Sequence, residues 1–392
     1  MSHKIALVYD RLNTTFGGAE QVLLALHQLY PQADLFTSVY DPKKAAWAKI
    51  FRIKSSFLQS LPLASKLHRY LALLMPLAFE SLDLSAYEII ISITSAEAKS
   101  VITRRDQLHL CYLLSPPRYI YHYQDAYLRQ HPLLKLPLFY QIAKSCLKYL
   151  QNLDQQAIRR VDLLVPIAKI VAKRVKKYYD LDAAQILYPP IDQQFLSSSN
   201  EPDSKIEIPA VAYYLLVARL VPYKNVAFAI KACLKLGRRL IVVGDGPELR
   251  RLQEMIPVQQ KNLIKFYPLS SSSDLKKLYQ NCTALLSPAL DDFGIAALEA
   301  NLFAKPVIIN KLAGAAEIIQ DQIHGLHLDY QEDESLESGV AKLATAIEKI
   351  EKMTFETNLL VKNARKYDTT SFTRQFSEIV EEAYQAKLKG LL

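Results

Sequence analysis

Short apolar runs alternate along the chain with longer segments in which apolar residues recur every three or four positions. The run KIALVY at 4–9 has strand length, and the segment GGAEQVLLALHQLYP that follows a short loop has helical periodicity. A strand, a glycine turn and a helix in this order are typical of a parallel α/β sheet. The same analysis predicts strands at 33–40, 87–94 and 108–114, a helix at about 132–158, and the basic helix KIVAKRVKKYY.

The periodic pattern stops once and then starts again. Residues 193–209 are rich in Ser, Pro and acidic residues and show no period, which is typical of a linker. Alternating strands and helices resume at AYYLLVARL. We therefore predict an N-terminal domain at 1–192, a second domain at 210–370, and a C-terminal helix at 371–392. Both domains are expected to be Rossmann-like, doubly wound parallel α/β sheets that face a cleft, with ligands outside the carboxyl ends of the strands.

Composition narrows the class of protein. Half of the residues are apolar and 22% are charged, which is a globular balance, and no apolar run reaches the length of a membrane-spanning helix. The N-terminus begins a strand almost at once and has no signal-peptide layout. The four cysteines lie far apart without metal-ligand or redox spacing, which favours reduced thiols in a cytoplasmic protein.

The positive charge is concentrated in one half of the chain. Residues 1–200 contain 24 Lys and Arg against 15 Asp and Glu, whereas residues 201–392 contain 24 of each. A basic half indicates an acidic partner, such as an anionic lipid, a phosphorylated acceptor or a nucleic acid, or else a solvated basic surface. The chain has no recognised nucleic-acid motif, so nucleic acid is the least favoured partner.

Glycine is scarce, so its positions are informative. The chain has 10 glycines, whereas average usage would give about 27. Most of them lie at predicted turns, where the backbone bends sharply or approaches a ligand closely. These positions are Gly17, Gly18, Gly244, Gly246, Gly294, Gly314 and Gly325.

The segment DDFGIAALEA at 291–300 holds candidate chemistry. In one interpretation Asp291 or Asp292 caps a helix that starts near Gly294, and Glu299 faces solvent. In the other, the amides at the helix N-terminus bind a phosphate, and the two carboxylates accept hydrogen bonds from sugar hydroxyls. The sequence of this segment alone leaves both interpretations open.

Two cations follow the first strand of the second domain. Arg219 and Lys224 lie in ARLVPYK, and such residues bind phosphate or simply occupy a surface loop. The turn VGDGPE with Gly244 and Gly246 is weak evidence, because such turns often only connect a strand to a helix. Because Arg219 and Lys224 follow a predicted buried strand, their position favours phosphate binding.

Together these segments resemble the retaining glycosyltransferases of family 4, which have the GT-B fold. The second domain carries ARLVPYK, VGDGPE, DDFGIAALEA and AGAAEIIQDQIHG in order, and the first carries FGGAE, SLDLSAYEIIIS, AEAKSV, CYLLSPPRY and ILYPPID. The first-domain set is most similar to the mannosyltransferase-type branch that builds bacterial surface polysaccharides. The GT-B resemblance implies that the first domain (1–192) binds the acceptor, that the second (210–370) binds the nucleotide sugar, and that the C-terminal helices pack back on the first domain.

The resemblance also implies residue roles. Arg219 and Lys224 match the pair that holds the donor diphosphate, Glu299 matches the acid on the nucleotide ribose, and Asp291 matches the acid that contacts the transferred sugar. A further set matches positions that bind or approach the donor, namely Gly17, Gly18, Gly244, Gly246, Phe293, Gly294 and Ile295. The implied reaction needs no metal and no cofactor besides the nucleotide sugar, because Arg219, Lys224 and helix amides stabilise the charge of the leaving group. It needs no side-chain nucleophile either, because the leaving phosphate takes the acceptor proton.

Several positions depart from the family pattern. Asp291 stands where Glu is usual, and Leu114 and Ser95 stand where the branch carries His; His122 is a candidate replacement. We expect a retaining transferase that moves a mannose-like sugar to a lipid-linked or polysaccharide acceptor. A nucleotide-sugar epimerase and a catalytically weak binding partner are the alternatives.

Two segments of the first domain predict where in the cell the protein lies. The segments KLHRYLALLMPLAF and KLPLFYQIAKSCLKYL mix apolar residues with Lys and Arg, which indicates either attachment to an anionic membrane surface or ordinary core helices. The expectation is a cytoplasmic protein that lies peripherally at the inner face of the cell membrane.

Overall fold

The structure is a computed structural model that describes residues 3–14, 17–61, 68–122, 124, 128, 137–191, 210–268 and 272–392. These residues form two compact units. The first unit contains residues 1–189 together with 372–392, and the second contains residues 190–371. The predicted linker at 193–209 lies outside the described residues, as does the start of the predicted helix at 132–136.

The first unit is built on a parallel sheet. Its strands are β1 (Ile5–Tyr9), β2 (Asp34–Thr37), β3 (Arg52–Ser55), β4 (Ile89–Thr94), β5 (Leu108–Leu113) and β6 (Leu163–Pro166). Its helices are α1 (Gly18–Leu29), α2 (Met75–Glu80), α3 (Arg118–Tyr121), α4 (Pro137–Ile158) and α5 (Lys169–Tyr179). The helix α12 (Thr369–Leu388) begins in the second unit and continues in the first.

The strand order of this sheet is β3-β2-β1-β4-β5-β6. All residues of β4 and β5 are buried, as expected for central parallel strands that are covered on both faces. The end of the chain contributes to the same core, since Phe372 and Phe376 pack edge-on against Tyr112 of β5. β3 is an edge strand with mostly exposed residues and was not predicted, because RIKS has no apolar run.

The second unit repeats the architecture. Its strands are β7 (Tyr214–Val217), β8 (Leu240–Val243), β9 (Ile264–Tyr267), β10 (Leu285–Ser287), β11 (Val307–Asn310) and β12 (Gly325–Leu328). Its helices are α6 (Val226–Leu236), α7 (Leu249–Glu254), α8 (Ser272–Asn281), α9 (Ala296–Leu302), α10 (Leu336–Ile350) and α11 (Thr357–Arg365). β12 was not predicted, because GLHL is short and contains a polar residue.

The strand order of the second sheet is β12-β11-β10-β7-β8-β9, again with parallel pairing. In both sheets the first strand of the unit lies beside the fourth, so the chain winds outward in both directions from that pair. Such a reversal point leaves a crevice at the carboxyl ends of the two central strands. The predicted fold class, two Rossmann-like doubly wound parallel sheets, is confirmed at the level of the individual units.

The helix α4 is only partly packed. Its buried residues begin at Leu150 and recur at Asp154, Ala157 and Ile158, whereas no residue described in its first three turns is buried. Among the described residues of the segment KLPLFYQIAKSCLKYL only Leu150 is buried, so the core-helix alternative does not hold for that segment. No helix in the described part of the chain is long and apolar enough to cross a membrane.

Candidate functional site

The candidate side chains of the second unit lie on segments that follow the two central strands of its sheet. Arg219 lies two residues beyond the end of β7, and Lys224 ends the short 3₁₀ helix that follows. Asp291 lies four residues beyond the end of β10, the neighbouring strand. Parallel strands end at the same edge of a sheet, so two segments far apart in sequence approach each other here.

Lys224 and Asp291 form an ion pair at this edge. The Lys224 Nζ donates a hydrogen bond to the Asp291 Oδ1 over 2.5 Å, and both side chains are largely shielded from solvent. The ammonium group also lies 5.6 Å from the ring centroid of Tyr223, within the range of a cation–π contact. A charge-assisted hydrogen bond in a shielded position holds both groups in place.

The two glycines of the GDG turn hold the Arg219 segment. A Cβ at Gly244 would overlap the carbonyl oxygen of Ala218, and a Cβ at Gly246 would overlap that of Leu220. Only glycine allows the turn after β8 to approach the backbone on either side of Arg219 this closely. The structure thus gives Gly244 and Gly246 a packing role, and their direct contact with a ligand stays a prediction.

The segment that carries Asp291 is clamped by a second motif. The Gly314 amide donates to the Asp291 carbonyl oxygen over 2.9 Å, and the Ala315 amide donates to the Phe293 carbonyl oxygen over 2.7 Å. Gly294 has a φ of +93°, which lies in the region that favours glycine. The AGAAE motif therefore fixes the backbone of the DDFG motif.

Glu299 is buried, so the interpretation in which it faces solvent is wrong. The residue is 4% exposed, and the hydroxyl of Tyr279 donates a hydrogen bond to its Oε2 over 2.7 Å. Burial raises the pKa of Tyr279 well above its ordinary value, and the neighbouring carboxylate adds to the shift. A buried carboxylate needs such donors, because an unpaired one is costly.

The capping interpretation of the aspartates is also wrong. The helix α9 begins at Ala296, its N-cap is Ile295, and no side chain caps it. Asp291 pairs with Lys224 instead. The sequence pattern correctly placed a turn and a helix here, but it could not identify the partner of the aspartate.

In the first unit, Gly17 and Gly18 lie at the start of α1. Gly17 is the N-cap with an extended backbone, and Gly18 is the first helical residue. Glu20 of the same turn is buried, accepts a hydrogen bond from the Tyr9 hydroxyl over 2.9 Å, and has a pKa raised by burial. A Cβ at Gly17 would lie 3.1 Å from the Glu20 Oε2, so the space for this carboxyl is tight.

Sequence reasoning missed a polar cluster at the carboxyl ends of β1 and β4. Asp10 and Arg11 follow β1, and Glu97 lies three residues beyond β4. Arg11 Nη2 lies 3.3 Å from the Glu97 Oε2. The available signal was the charge that directly follows a predicted buried strand, which is the same signal that selected Arg219.

Two of the positions that depart from the family pattern, Ser95 and Leu114, lie near this cluster. The Ser95 amide donates to the Asp10 Oδ2 over 2.8 Å, and the Leu114 amide donates to the Thr94 carbonyl oxygen over 2.8 Å. His122, the candidate replacement, has its Nδ1 3.4 Å from the Tyr178 hydroxyl. Among the residues that the structure describes, no group of three or more His, Cys, Asp and Glu side chains has the arrangement of a metal site.

Residues 200–359 match the model of the protein family described as glycosyl transferases group 1. The matched range contains every candidate side chain of the second unit. This part of the chain is a group 1 glycosyltransferase domain. The resemblance expected from the ordered second-domain motifs is confirmed.

Characterised relatives match about half of the chain. The chain is 24% identical over 216 residues to a D-inositol 3-phosphate glycosyltransferase of Segniliparus rotundus, covering 51% of this chain and 48% of the relative. It is 23% identical over 202 residues to the O-antigen chain mannosyltransferase RfbU of Salmonella typhimurium, covering 50% and 54%. The chain thus spans about a third to half of the length of the first curated relatives that it matches.

A solved structure matches the whole chain. The Anabaena protein Alr3699/HepE, in its complex with UDP and glucose, superposes with a TM-score of 0.64 over 97% of this chain and 100% of the other, at 18% identity. At this identity the likeness concerns the fold. The group 1 domain and the two parallel sheets together confirm the GT-B fold class.

Proposed function

We propose that this chain is a retaining GT-B glycosyltransferase that uses a nucleoside-diphosphate sugar as its donor. The observation that carries the proposal is the Lys224–Asp291 pair at the reversal point of the group 1 domain, beside the Arg219 segment. A cation and a carboxylate at such an edge suit a sugar phosphate, since the one binds phosphate and the other accepts hydrogen bonds from hydroxyls.

The proposed donor site assigns a task to each side chain. Arg219 and Lys224 bind the diphosphate and stabilise the charge that develops on the leaving group. Glu299, held by Tyr279, accepts a hydrogen bond from the ribose. Asp291 contacts the transferred sugar, and the amides of Phe293, Gly294 and Ile295 meet the sugar and phosphate. No metal is needed in this scheme.

The names of similar proteins support a sugar donor and a surface-glycan acceptor. RfbU is named as an O-antigen chain mannosyltransferase, and HepE is solved with UDP-glucose. We favour a mannose-like sugar and a lipid-linked or polysaccharide acceptor for this chain. HepE is solved with a uridine nucleotide sugar, whereas the name of RfbU gives no nucleotide, so the nucleotide has to be found by experiment.

We also propose a peripheral membrane location, which the exposed surface of α4 supports. Leu138 is 69% exposed, and Phe139, Ile142 and Tyr149 are also exposed on this helix. At 100° per residue, Leu138, Ile142 and Tyr149 fall within 40° of one another, whereas Lys148 and Lys144 lie about 100° and about 140° from the centre of that stripe. An exposed apolar stripe on a helix that also carries lysines, in the basic half of the chain, suits an anionic lipid surface.

The transfer reaction is tested by product analysis with purified protein. GDP-, UDP- and ADP-sugars are incubated with and without membrane lipid extract, and nucleoside diphosphate release is followed, with the anomeric configuration of the product read by proton NMR. A transferase releases the diphosphate in an acceptor-dependent manner with retained configuration, and Glu299→Ala slows the release. An epimerase would alter the nucleotide sugar without releasing the diphosphate, and a non-catalytic binding partner would leave every donor intact.

A matched control keeps the test specific. Glu254 is an exposed acid on α7 that pairs with Arg250. Glu254→Gln removes a carboxylate from the same unit without touching the candidate site. Its release rate is expected to equal that of the wild type, so a loss confined to Glu299→Ala assigns the effect to the site.

A further inference from the structure

The first unit has an ion pair in the same topological place as the Lys224–Asp291 pair. Its sheet has the same strand order as the second, and its reversal point lies between β1 and β4. Arg11 lies two residues beyond β1, as Arg219 lies two residues beyond β7. Glu97 follows the fourth strand, as Asp291 does in the second unit. Ligands in such sheets bind at this edge.

Asp10 fixes the geometry of the pair. Its Oδ1 accepts hydrogen bonds from the Thr94 hydroxyl over 2.6 Å and from the Ala98 amide over 2.9 Å, and its Oδ2 accepts one from the Ser95 amide over 2.8 Å. The side chain that follows β1 therefore holds the loop that follows β4. The loop carries Glu97, so the position of its carboxyl is set by the backbone.

The carboxyl of Glu97 is held on both sides. The Tyr119 hydroxyl donates to its Oε1 over 2.5 Å, and Arg11 Nη2 donates to its Oε2 over 3.3 Å. The side chain of Glu97 is 8% exposed and that of Arg11 is 26% exposed. Burial raises the pKa of Glu97, and the charge of Arg11 opposes this shift.

The Arg11 guanidinium retains donor capacity. A guanidinium has five N–H donors in a fixed fork. Within the described part of the chain, Arg11 donates one side-chain hydrogen bond, and that bond goes to Glu97. The partly exposed, rigidly held guanidinium at the ligand-binding edge can therefore donate hydrogen bonds to further partners.

The charges around Arg11 favour a neutral ligand over an anionic one. Burial lowers the pKa of Arg11, but the charges of Glu97 and Asp10 oppose this effect, and the pKa is raised. Two carboxylates beside one guanidinium leave little net attraction for a phosphate. A hydroxyl-rich molecule fits better, because it donates to carboxylate oxygens and accepts from N–H groups at the same time.

We propose that Arg11 and Glu97 form a saccharide subsite in the first unit, where Glu97 accepts a hydrogen bond from a sugar hydroxyl and the Arg11 guanidinium donates to one. Asp10 acts as a positioning residue for both. The inference rests on the proposed transferase function and on the expectation that the first domain binds the acceptor. It adds the residues of that unit that bind the terminal sugar of the acceptor.

A binding assay without turnover tests the subsite. Methyl α-mannoside, methyl α-glucoside and methyl α-galactoside are titrated against the full chain by saturation-transfer-difference NMR. At least one glycoside is expected to bind the wild type, and Glu97→Gln is expected to weaken it about tenfold, the equivalent of one charge-assisted hydrogen bond. Arg11→Lys keeps the positive charge beside Asp10 and Glu97 but removes the fork, and we expect a similar loss.

Controls separate this inference from the proposed function. Asp106→Asn alters an exposed acid of the same unit that pairs with Arg104, and its glycoside affinity is expected to equal that of the wild type. Stabilisation by nucleoside diphosphate is measured on every variant and is expected to persist in Glu97→Gln. If nucleoside diphosphate does not stabilise the wild type, this result counts against the proposed function and not against the subsite. The subsite is refuted if no glycoside binds the wild type, or if the affinity survives within twofold in both Glu97→Gln and Arg11→Lys.

Discussion

The Nζ of Lys224 lies 2.5 Å from the Oδ1 of Asp291, across 67 positions of sequence. A diphosphate bound at Lys224 competes with this carboxylate for the ammonium and is repelled by its charge. Removing the charge with Asp291→Asn should therefore tighten binding of a nucleoside diphosphate several-fold, as measured by calorimetric titration. The same variant should lose the preference for the sugar-bearing form, because an amide accepts fewer hydrogen bonds than a carboxylate. Unchanged affinity for both ligands would contradict this account of the pair.

The glycines of the GDG turn should tolerate no side chain. Gly244→Ala is expected to cost about 2 kcal/mol in the free energy of unfolding, because its Cβ meets the Ala218 carbonyl oxygen and the chain must shift. The shift moves Arg219, so nucleotide affinity should fall as well. Urea unfolding and nucleotide titration measure the two effects.

Gly237→Ala is the matched control for that variant. Gly237 also has a positive φ, but a Cβ there would meet nothing within 4 Å. Backbone strain alone should lower the free energy of unfolding of this variant by about 1 kcal/mol. Its nucleotide affinity should equal that of the wild type. Equal losses of affinity in Gly237→Ala and Gly244→Ala would show that the contact with Ala218 is not what positions Arg219.

A buried ion pair anchors the packed end of α4. The fully buried Lys99 has its Nζ 2.5 Å from the Asp154 Oδ1, and the hydroxyls of Tyr121 and Tyr179 donate to the Oδ2 over 2.9 and 2.7 Å. Lys99→Met should lower the free energy of unfolding by about 3 kcal/mol or more, since it leaves a buried carboxylate without its cation. Chemical denaturation provides the measurement.

A double variant that removes both charges tests whether the unpaired carboxylate causes the loss of stability. Lys99→Met combined with Asp154→Leu removes both charges, so it should recover part of the stability that Lys99→Met loses. Arg104→Met, which breaks an exposed pair with Asp106, should change stability little. A double variant less stable than the sum of its single variants would argue against a simple desolvation cost.

A buried histidine should make stability depend on pH. His109 is fully buried, its Nε2 lies 2.9 Å from the Ser92 hydroxyl, and burial lowers its pKa to about 4. Asp162 opposes this shift, whereas Arg160 and Lys387 add to it. The unfolded chain binds the proton near pH 6.5, so the neutral folded ring contributes stability above that pH, which is lost as the pH falls toward 4.

The size of the effect follows from the shift. The stability advantage of the wild type over His109→Gln should shrink by about 3 kcal/mol between pH 7.5 and pH 4. Comparing the two proteins removes the contribution of the carboxylates that both share. A constant difference across this range would mean that the pKa of His109 is the same in the folded and the unfolded chain.

The exposed side chains of α4 should attach the chain to anionic lipid. Wild-type protein is expected to cosediment with vesicles of phosphatidylglycerol and phosphatidylcholine, and less so at high salt. Replacing Leu138 and Ile142 by Ser should reduce the partition coefficient about tenfold, because two apolar side chains no longer enter the interface. Val258→Ser, an exposed apolar position of the second unit, is the control and should bind as the wild type does. Absence of cosedimentation at every salt concentration would refute the membrane surface.

The sequence predicted the repeating part of the fold well. Strands such as IIISIT and LHLCYL are continuous apolar runs, because central parallel strands are buried on both faces. The edge strand β3 and the short β12 lack that signal, since their hydrogen bonds to neighbouring strands, and not their side chains, determine their conformation. Local pattern therefore found the central strands of each sheet and one of its two edge strands, and missed the other edge strand, β3 or β12.

The site was predictable as a set of segments but not as a set of contacts. The positions of Arg219 and Lys224 after a buried strand were visible in the sequence. The pairing of Lys224 with Asp291, and of Arg11 with Glu97, depends on which strands lie side by side. Strand order is a property of the whole sheet. The partners in these two pairs are separated by 67 and by 86 positions of sequence, so local pattern could not match them.

The most direct test of the donor site is thermal unfolding of the purified chain with GDP, UDP and ADP, beside Lys224→Met and Glu254→Gln. At about a hundred times its dissociation constant, a bound nucleotide should add roughly 2.7 kcal/mol to the free energy of unfolding. We predict that one diphosphate stabilises the wild type and Glu254→Gln alike, and that Lys224→Met loses most of the shift. If no diphosphate shifts the transition, or if Lys224→Met shifts as the wild type does, the Lys224–Asp291 edge is not a nucleotide-sugar site.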